Sequence, residues 1–263
     1  MAHFKAIFNW NGGFSALILG FWLCSAFMAR AYDAPPSSLH PRFAPLAQKR
    51  LEAAKKLYAA DTNSLSKACA LGQAYFFAGE FATNKTEQAQ LAERGIAVCV
   101  RALAINPGSP QASYYHALNL GQLARTKMLA ALTLVKQMRP ALELAAKARP
   151  SLDYAGPDRC LGLLHRDAPG WPISVGDRNK ARKYLTRAFA IAPEYPENII
   201  VQLETWIRWR DYKMLAKHHA IAESILKAAR KKLIGVRWEP YWDDWDRRWN
   251  AVQQKAAKML PKK

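Results

Sequence analysis

The residues of this sequence that could do chemistry are few and lie far apart. His218 and His219 are adjacent, so on a helix their side chains diverge by about 100 degrees and would not chelate one metal ion. We expect them on a solvated helix face, and we expect His165 at a packed core position. The sequence contains no G-x-S-x-G, H-E-x-x-H, phosphate-binding glycine or dinucleotide-binding motif. It therefore predicts a protein that is not an enzyme and has no catalytic residue, metal or cofactor.

The first residues indicate export. Residues 14–28 are almost entirely apolar, follow an acid-free basic start, and end at Ala29-Arg30-Ala31, where small residues occupy the positions that a signal peptidase recognises. Residues 1–31 are therefore predicted to be a cleaved signal peptide, which places the protein in the periplasm or cell envelope. An uncleaved anchor is the alternative, although about fifteen apolar residues are few for a membrane span.

The mature chain would keep three cysteines, Cys69, Cys99 and Cys160, an odd number without a C-x-x-C pair. Their helical contexts favour small apolar packing positions, and a Cys69–Cys99 disulfide stays open as the alternative.

The charge is strongly basic. The formal net charge is +19, and cleavage after residue 31 removes Lys5, Arg30 and no acid, which leaves +17. Such an excess favours anionic partners such as lipid head groups, polymers or acidic proteins, or it belongs to a well-solvated basic surface. Because the signal peptide indicates export, we expect no nucleic acid as partner.

The rest of the chain shows helical periodicity. After a proline-rich extended N-terminus, 32–44, apolar residues recur at spacings of three and four, which predicts a first helix over 45–60. Four helical hairpins are then predicted at about 65–107, 110–150, 155–193 and 196–233. A polar insertion, 79–90, is expected to delay the second helix of the first hairpin, and Pro140 is expected to kink or split the second helix of the next.

Leu-Gly pairs at 71–72, 120–121 and 161–162, each followed by a proline after the second helix, are typical of tetratricopeptide repeats, where small residues let two helices approach closely. We therefore predict an all-α fold, a tetratricopeptide-like solenoid of helical hairpins that forms one domain over 45–263. The fourth hairpin has Gln202-Leu203 in place of the Leu-Gly pair and is predicted to be a degenerate terminal repeat.

The tail is rich in tryptophan. Trp238, Trp242, Trp245 and Trp249 are spaced four, three and four residues apart, which places all four indoles on one face of a helix over 238–260. We interpret this helix as a cap over the exposed side of the last hairpin. A membrane-interface or partner-docking face is the alternative, but nearby aspartates disfavour contact with anionic lipid.

In tetratricopeptide stacks the first helices line a concave surface that binds ligands. Transferring that register predicts an aromatic patch beside a mixed-charge patch, whose arginines would bind a carboxylate in bidentate fashion. Trp171 is added because a stiff Pro-Gly-Trp-Pro loop would fold it back over the hairpin or the groove mouth. The predicted binding residues are Gln73, Phe76, Phe77, Tyr114, Arg159, Arg166, Trp171, Glu204 and Arg208.

The third hairpin carries a narrower resemblance. It contains Gly156-Pro157 with Arg159 and Leu161-Gly162, followed by APGWP at 168–172, Ser174-Val175-Gly176 and APEYPEN at 192–198. Over roughly 110–210 the chain resembles the TRAP-transporter-associated (TatT-like) tetratricopeptide family. The resemblance implies a periplasmic helical protein, in some members lipid-anchored or trimeric, that partners a periplasmic solute-binding protein and handles small carboxylated or hydrophobic ligands. Leu23 before Cys24 departs from a lipobox.

The leading hypothesis is therefore an exported, non-enzymatic binding or scaffold protein whose concave face engages a partner protein or small amphipathic ligand, as an accessory to TRAP-type solute uptake. The alternative is a structural adaptor of the cell envelope that uses its basic surface on anionic membrane or polymer. Peripheral membrane contact and homo-oligomerisation stay open. Adaptor binding should fall steeply with ionic strength, whereas burial of an apolar ligand should not.

Overall fold

The computed structural model describes residues 41–127 and 130–260, and the predicted all-α fold is confirmed for them. These residues form one short 3-10 turn, Pro41–Phe43, and ten α-helices without a β-strand. The helices are α1 (Ala44–Ala59), α2 (Leu65–Gly79), α3 (Lys85–Ile105), α4 (Pro110–Ala124), α5 (Ala131–Ala148), α6 (Gly156–Asp167), α7 (Arg178–Ile191), α8 (Pro196–Trp209), α9 (Tyr212–Lys232) and α10 (Glu239–Met259).

Helices α2 to α9 form four hairpins that stack in chain order. Each helix packs against the next one, and α2 also packs against α4, so that first helices of neighbouring hairpins meet. Because each unit buries its apolar face mainly against its neighbours, the result is a helical solenoid, as predicted.

The Leu-Gly pairs allow the close helix approach that the sequence predicts. A Cβ atom on Gly72 would lie 2.5 Å from Sγ of Cys99, and one on Gly162 would lie 2.5 Å from Cδ2 of Leu185. The second clash also involves backbone, since the same Cβ would lie 3.1 Å from the amide nitrogen of Leu185. Any side chain at Gly162 would therefore push α6 away from α7.

One local prediction is wrong. The polar insertion in the first hairpin is short, because α3 already begins at Lys85. Its N-terminus is capped by Asn84, whose Oδ1 accepts from the Glu87 amide at 2.9 Å, while Glu87 accepts from the Thr83 amide at 2.8 Å. Of the two effects predicted for Pro140, the split does not occur, since α5 continues through it. Asp177 caps α7, accepting from the amides of Asn179 and Lys180.

The tryptophan-rich helix α10 caps the end of the stack. It packs mainly against α8 and to a lesser extent against α9. Trp242 and Trp245 are buried; the indole of Trp242 donates to the carbonyl of Leu233 at 2.7 Å, and that of Trp245 donates to Glu197 at 2.8 Å. Because α8 is a first helix, α10 also reaches the face of the solenoid that the first helices line.

The predicted signal peptide, 1–31, and residues 32–40 of the predicted extended N-terminus lie outside the described residues. Among the helices that are described, none has the length and apolarity needed to cross a membrane.

Candidate functional site

The first helices surround a cavity of about 580 Å³ that α1 and α10 help to enclose. Cavities of about 300–1,000 Å³ are typical of small-molecule sites. Five of the predicted binding residues line it: Gln73, Phe76, Phe77, Tyr114 and Arg159. They come from α2, α4 and α6, so the solenoid brings together residues that lie up to 86 positions apart in the sequence.

Aromatic rings form much of the cavity wall. Tyr241 of α10 stacks on Phe77 of α2 with ring centroids 6.2 Å apart, and it lies 5.6 Å from the ring of Trp238. Tyr114 and Tyr115 lie side by side at 5.2 Å. Of these rings, Phe77, Tyr114, Tyr115 and Tyr241 line the cavity and offer an apolar surface to a ligand.

The charged residues of the wall are mostly paired already. Arg248 of α10 contacts three acids: it donates to Glu197 at 2.8 Å, to Asp244 at 3.0 Å, and through two nitrogens to Glu204 at 2.8 Å each. Burial raises the pKa of Glu197, but the attraction of Arg248 outweighs it and the pKa lies below the usual value. This network fastens α10 to α8.

Arg159 holds a strained turn. Asp153, Tyr154 and Ala155 have φ values of 49°, 53° and 62°, the left-handed region that non-glycine residues adopt at a cost of about 1–3 kcal/mol each. Arg159 donates to the Tyr154 carbonyl at 3.1 Å and to the Asp153 carboxylate at 3.4 Å, and Asn198 donates to the same Tyr154 carbonyl at 3.0 Å. Arg159 also donates to Asn198 Oδ1 at 2.9 Å. Its guanidinium is therefore already committed to the fold.

Glu80 and Asp153 are also occupied. Glu80 accepts from Arg125 at 2.5 Å and from Gln122 at 2.5 Å, while Asp153 accepts from the hydroxyl of Tyr114 at 2.7 Å. In the part of the chain that is described, two charged wall residues make no ion pair, namely Arg50 of α1 and Arg237 before α10.

The tyrosine hydroxyls and the one cysteine thiol of the wall stay neutral at pH 7. Burial raises the pKa of Tyr241 to about 12, with the Asp153 charge acting in the same direction. Burial raises the pKa of the Cys160 thiol to about 11 although Arg159 opposes it. A thiol that remains protonated is not an activated nucleophile.

The other four predicted binding residues do not line this cavity. Arg166 makes two hydrogen bonds of 2.8 Å to Asp167, and Arg208 contacts the same carboxylate at 2.5 Å. Glu204 is held by Arg248. Trp171 does not fold back over the hairpin, since 89% of it is exposed.

The histidines and cysteines behave mainly as packing residues. His165 is buried as expected, and its Nδ1 lies 2.6 Å from the Val175 carbonyl. The prediction that His218 lies on a solvated helix face is wrong. His218 is buried, with its ring centroid 5.8 Å from that of Phe189. The three described cysteines are free thiols, so Cys69 and Cys99 do not form a disulfide in this structure. No group of three metal-ligating side chains occurs among the described residues.

Sequence reasoning missed the contributions of α1, α10 and the segment between α9 and α10. Arg50, Arg237, Tyr241, Asp244 and Arg248 all line the cavity. The signal available in the sequence was a stripe of the tail helix in which 241, 244 and 248 recur at spacings of three and four, next to the tryptophan-rich face. When the sequence is compared with known proteins, no family model and no curated protein matches it.

Proposed function

We propose that this protein is an exported, non-enzymatic binding protein that holds a small amphipathic ligand between the first helices of its solenoid and helix α10. The observation that carries the proposal is the cavity itself, about 580 Å³ in volume and lined by aromatic rings beside eight charged residues. Concave sites of this size that combine aromatic side chains with convergent polar groups are characteristic of ligand sites.

The chemistry of the wall favours binding over catalysis. The one cysteine in the wall has a raised pKa, and the wall carboxylates are engaged by arginines or by other hydrogen-bond donors. A general base or nucleophile needs a free, suitably tuned group within reach of a substrate. We therefore assign the wall to holding a ligand.

Native mass spectrometry tests this function. The mature protein would be purified from the periplasm of cells that express it, measured intact, and then denatured to release what it carries. We expect a stoichiometric small molecule that is lost in Phe76→Ala, because Phe76 lines the cavity. Leu57→Ala is the matched control, because Leu57 is an exposed apolar residue of α1 outside the wall.

If both variants carry the ligand with equal occupancy, the ligand binds elsewhere on the protein and the assignment to this cavity is wrong. If the wild-type protein carries no ligand, the binding proposal is overturned. The accessory role in TRAP-type uptake rests on the family resemblance of residues 110–210. The role requires that a periplasmic solute-binding protein co-purifies with this protein or exchanges ligand with it. The same resemblance would make the helical solenoid a stack of tetratricopeptide repeats.

A second function, docking on anionic membrane, is favoured by the segment between α9 and α10. Ile234 and Val236 are 71% and 60% exposed, and Lys231, Lys232 and Arg237 flank them. Apolar side chains next to lysine and arginine fit the interface of an anionic bilayer. We infer that this segment contacts lipid head groups through its cations and the acyl boundary through Ile234 and Val236.

Vesicle co-sedimentation tests the docking. We expect binding to vesicles that contain phosphatidylglycerol, weaker binding at high salt, and loss of binding in the Ile234→Ser/Val236→Ser double variant. The control is Val100→Ser/Ile105→Ser, which alters two exposed apolar residues of α3. Equal binding to neutral and anionic vesicles would rule out the electrostatic part of the proposal.

A further inference from the structure

We propose that Arg50 and Arg237 form the anion-binding end of the cavity and select ligands that carry a carboxylate on an apolar or aromatic body. This inference rests on the proposed binding function and names the ligand class of the same cavity.

Accounting for charge singles out these two residues. The wall contains four arginines and four acids, but Arg159 is paired with Asp153, and Arg248 with Glu197 and Asp244. The remaining acid, Glu80, is paired with Arg125 from outside the wall. Arg50 and Arg237 are left over: within the described part of the chain, neither has a carboxylate partner. The wall as a whole has as many acids as arginines, but these two arginines are the ones that no carboxylate of the wall contacts directly.

The two guanidinium groups each lie against an aromatic ring, and contacts between rings link them. Arg50 Cζ lies 4.8 Å from the ring centroid of Phe77, Phe77 stacks on Tyr241 at 6.2 Å, and Tyr241 lies 5.6 Å from Trp238. Arg237 Cζ lies 5.1 Å from the ring centroid of Trp238. The rings orient both arginines through cation–π contact and leave their in-plane N–H donors for a ligand.

The two charges act on each other. Burial lowers the pKa of Arg50, and the positive charge of Arg237 lowers it further while Tyr241 opposes the shift. An anion bound between the two arginines would remove that repulsion. A carboxylate matches the planar guanidinium fork, because each oxygen accepts an N–H bond, and the rest of the ligand would lie against Phe77 and Tyr241 of the wall.

This assignment replaces the role that the sequence gave to Arg159. Arg159 donates to the Tyr154 carbonyl, the Asp153 carboxylate and Asn198 Oδ1, so binding a ligand carboxylate would require it to release the left-handed turn. Arg50 is half-buried and Arg237 is exposed, and neither holds such a structure.

Isothermal titration calorimetry of the mature protein tests the inference with two probes of similar shape, 4-phenylbutanoate and its neutral analogue 4-phenylbutan-1-ol. We expect the wild-type protein to bind the carboxylate about tenfold or more tightly than the alcohol, because hydrogen bonds to charged groups are stronger than neutral ones. In Arg50→Gln/Arg237→Gln the carboxylate should lose this advantage while the affinity for the alcohol stays unchanged.

The matched control is Arg94→Gln/Arg101→Gln, which removes two exposed arginines of α3 and so changes the net charge equally. It should keep the preference, which separates a specific site from the general basic field. If the double variant does not fold, the single variant Arg237→Gln replaces it, because Arg237 lies in a connecting segment. This variant should lose part of the preference for the carboxylate over the alcohol.

The outcomes separate the two proposals. If the alcohol and the carboxylate bind equally well to the wild-type protein, the cavity binds ligands but the anion site is wrong. If the preference persists in Arg50→Gln/Arg237→Gln, another group recognises the carboxylate and the assignment is overturned. If neither probe binds, the proposed cavity function fails together with the inference.

Discussion

Replacement of Asn198 by alanine should be among the most destabilising single changes in this protein. Asn198 is the third residue of α8 and only 2% exposed. Its amide nitrogen donates to the carbonyls of Tyr154, Ala188 and Ala192 at 3.0, 3.2 and 2.9 Å, and its oxygen accepts from Arg159 at 2.9 Å. One side chain therefore satisfies the C-terminal carbonyls of α7 and the left-handed turn before α6.

The cost follows from the four hydrogen bonds that alanine would remove. The hydrogen bond to the Arg159 guanidinium is worth about 1.5–3 kcal/mol. Each of the three bonds to carbonyls is worth about 0.5–1.5 kcal/mol, because each carbonyl keeps a second donor: Arg159 for Tyr154, the Ala192 amide for Ala188 and the Tyr195 amide for Ala192. Since the neighbouring backbone relaxes in part, we expect a loss of about 3–5 kcal/mol in the free energy of unfolding.

Urea unfolding followed by far-ultraviolet circular dichroism and by tryptophan fluorescence measures this loss. Asn250→Ala is the control, because Asn250 is exposed on α10 and its replacement should change the free energy by less than about 0.5 kcal/mol. A double-mutant cycle with Arg159→Met should give a coupling of about 1 kcal/mol or more, since both residues hold the Tyr154 carbonyl. A loss below 1 kcal/mol for Asn198→Ala would refute the reasoning.

Three further predictions concern packing, charge and export. Gly162→Ala should lower the free energy of unfolding by about 2 kcal/mol or more by overpacking against α7, whereas Gly108→Ala, whose Cβ would meet nothing closer than 3.5 Å, should be tolerated. Because the pKa of Glu197 is lowered in the folded protein, its attraction to Arg248 adds stability above the unfolded pKa and is lost as the pH falls through the folded value. Denaturant titrations should therefore show Glu197→Gln to be less stable than wild type at pH 7, with the difference shrinking below about pH 4.5. N-terminal sequencing of the periplasmic protein should begin at Tyr32, and an N-terminus at Met1 would contradict cleavage.

The fold was predictable because its determinants are local in sequence. Leu71-Gly72 and Leu161-Gly162 fix how closely two successive helices approach, and Asp177 fixes where α7 begins. These features need only the spacing of a few residues along one hairpin. The tryptophans of the tail likewise share one face whatever that face contacts, so a cap could be predicted without knowing which helix it covers.

The candidate site was predictable only in part because it depends on long-range geometry. The register of the first helices placed Phe76, Phe77 and Tyr114 in the wall, since these follow from hairpin geometry alone. Arg159 also lies there, but its hydrogen bonds go to a left-handed turn. That turn contains no glycine, so the sequence gives no sign of it. The part of the wall built by α10 depends on the angle at which the chain leaves α9, and no local pattern encodes that angle.

The closure of the cavity by α10 explains why its charges are divided into two classes. Arg248 joins acids of α8 and α10, and Arg159 joins the turn before α6 to α8, so these arginines connect elements that must stay together for the cavity to exist. Removing either would release structure. Among the described residues Arg50 and Arg237 make no such connection, and Arg50 is partly buried without a carboxylate partner, which is unfavourable for its charge. A ligand carboxylate would offset this cost, which is the physical basis for assigning recognition to these two residues and structure to the others.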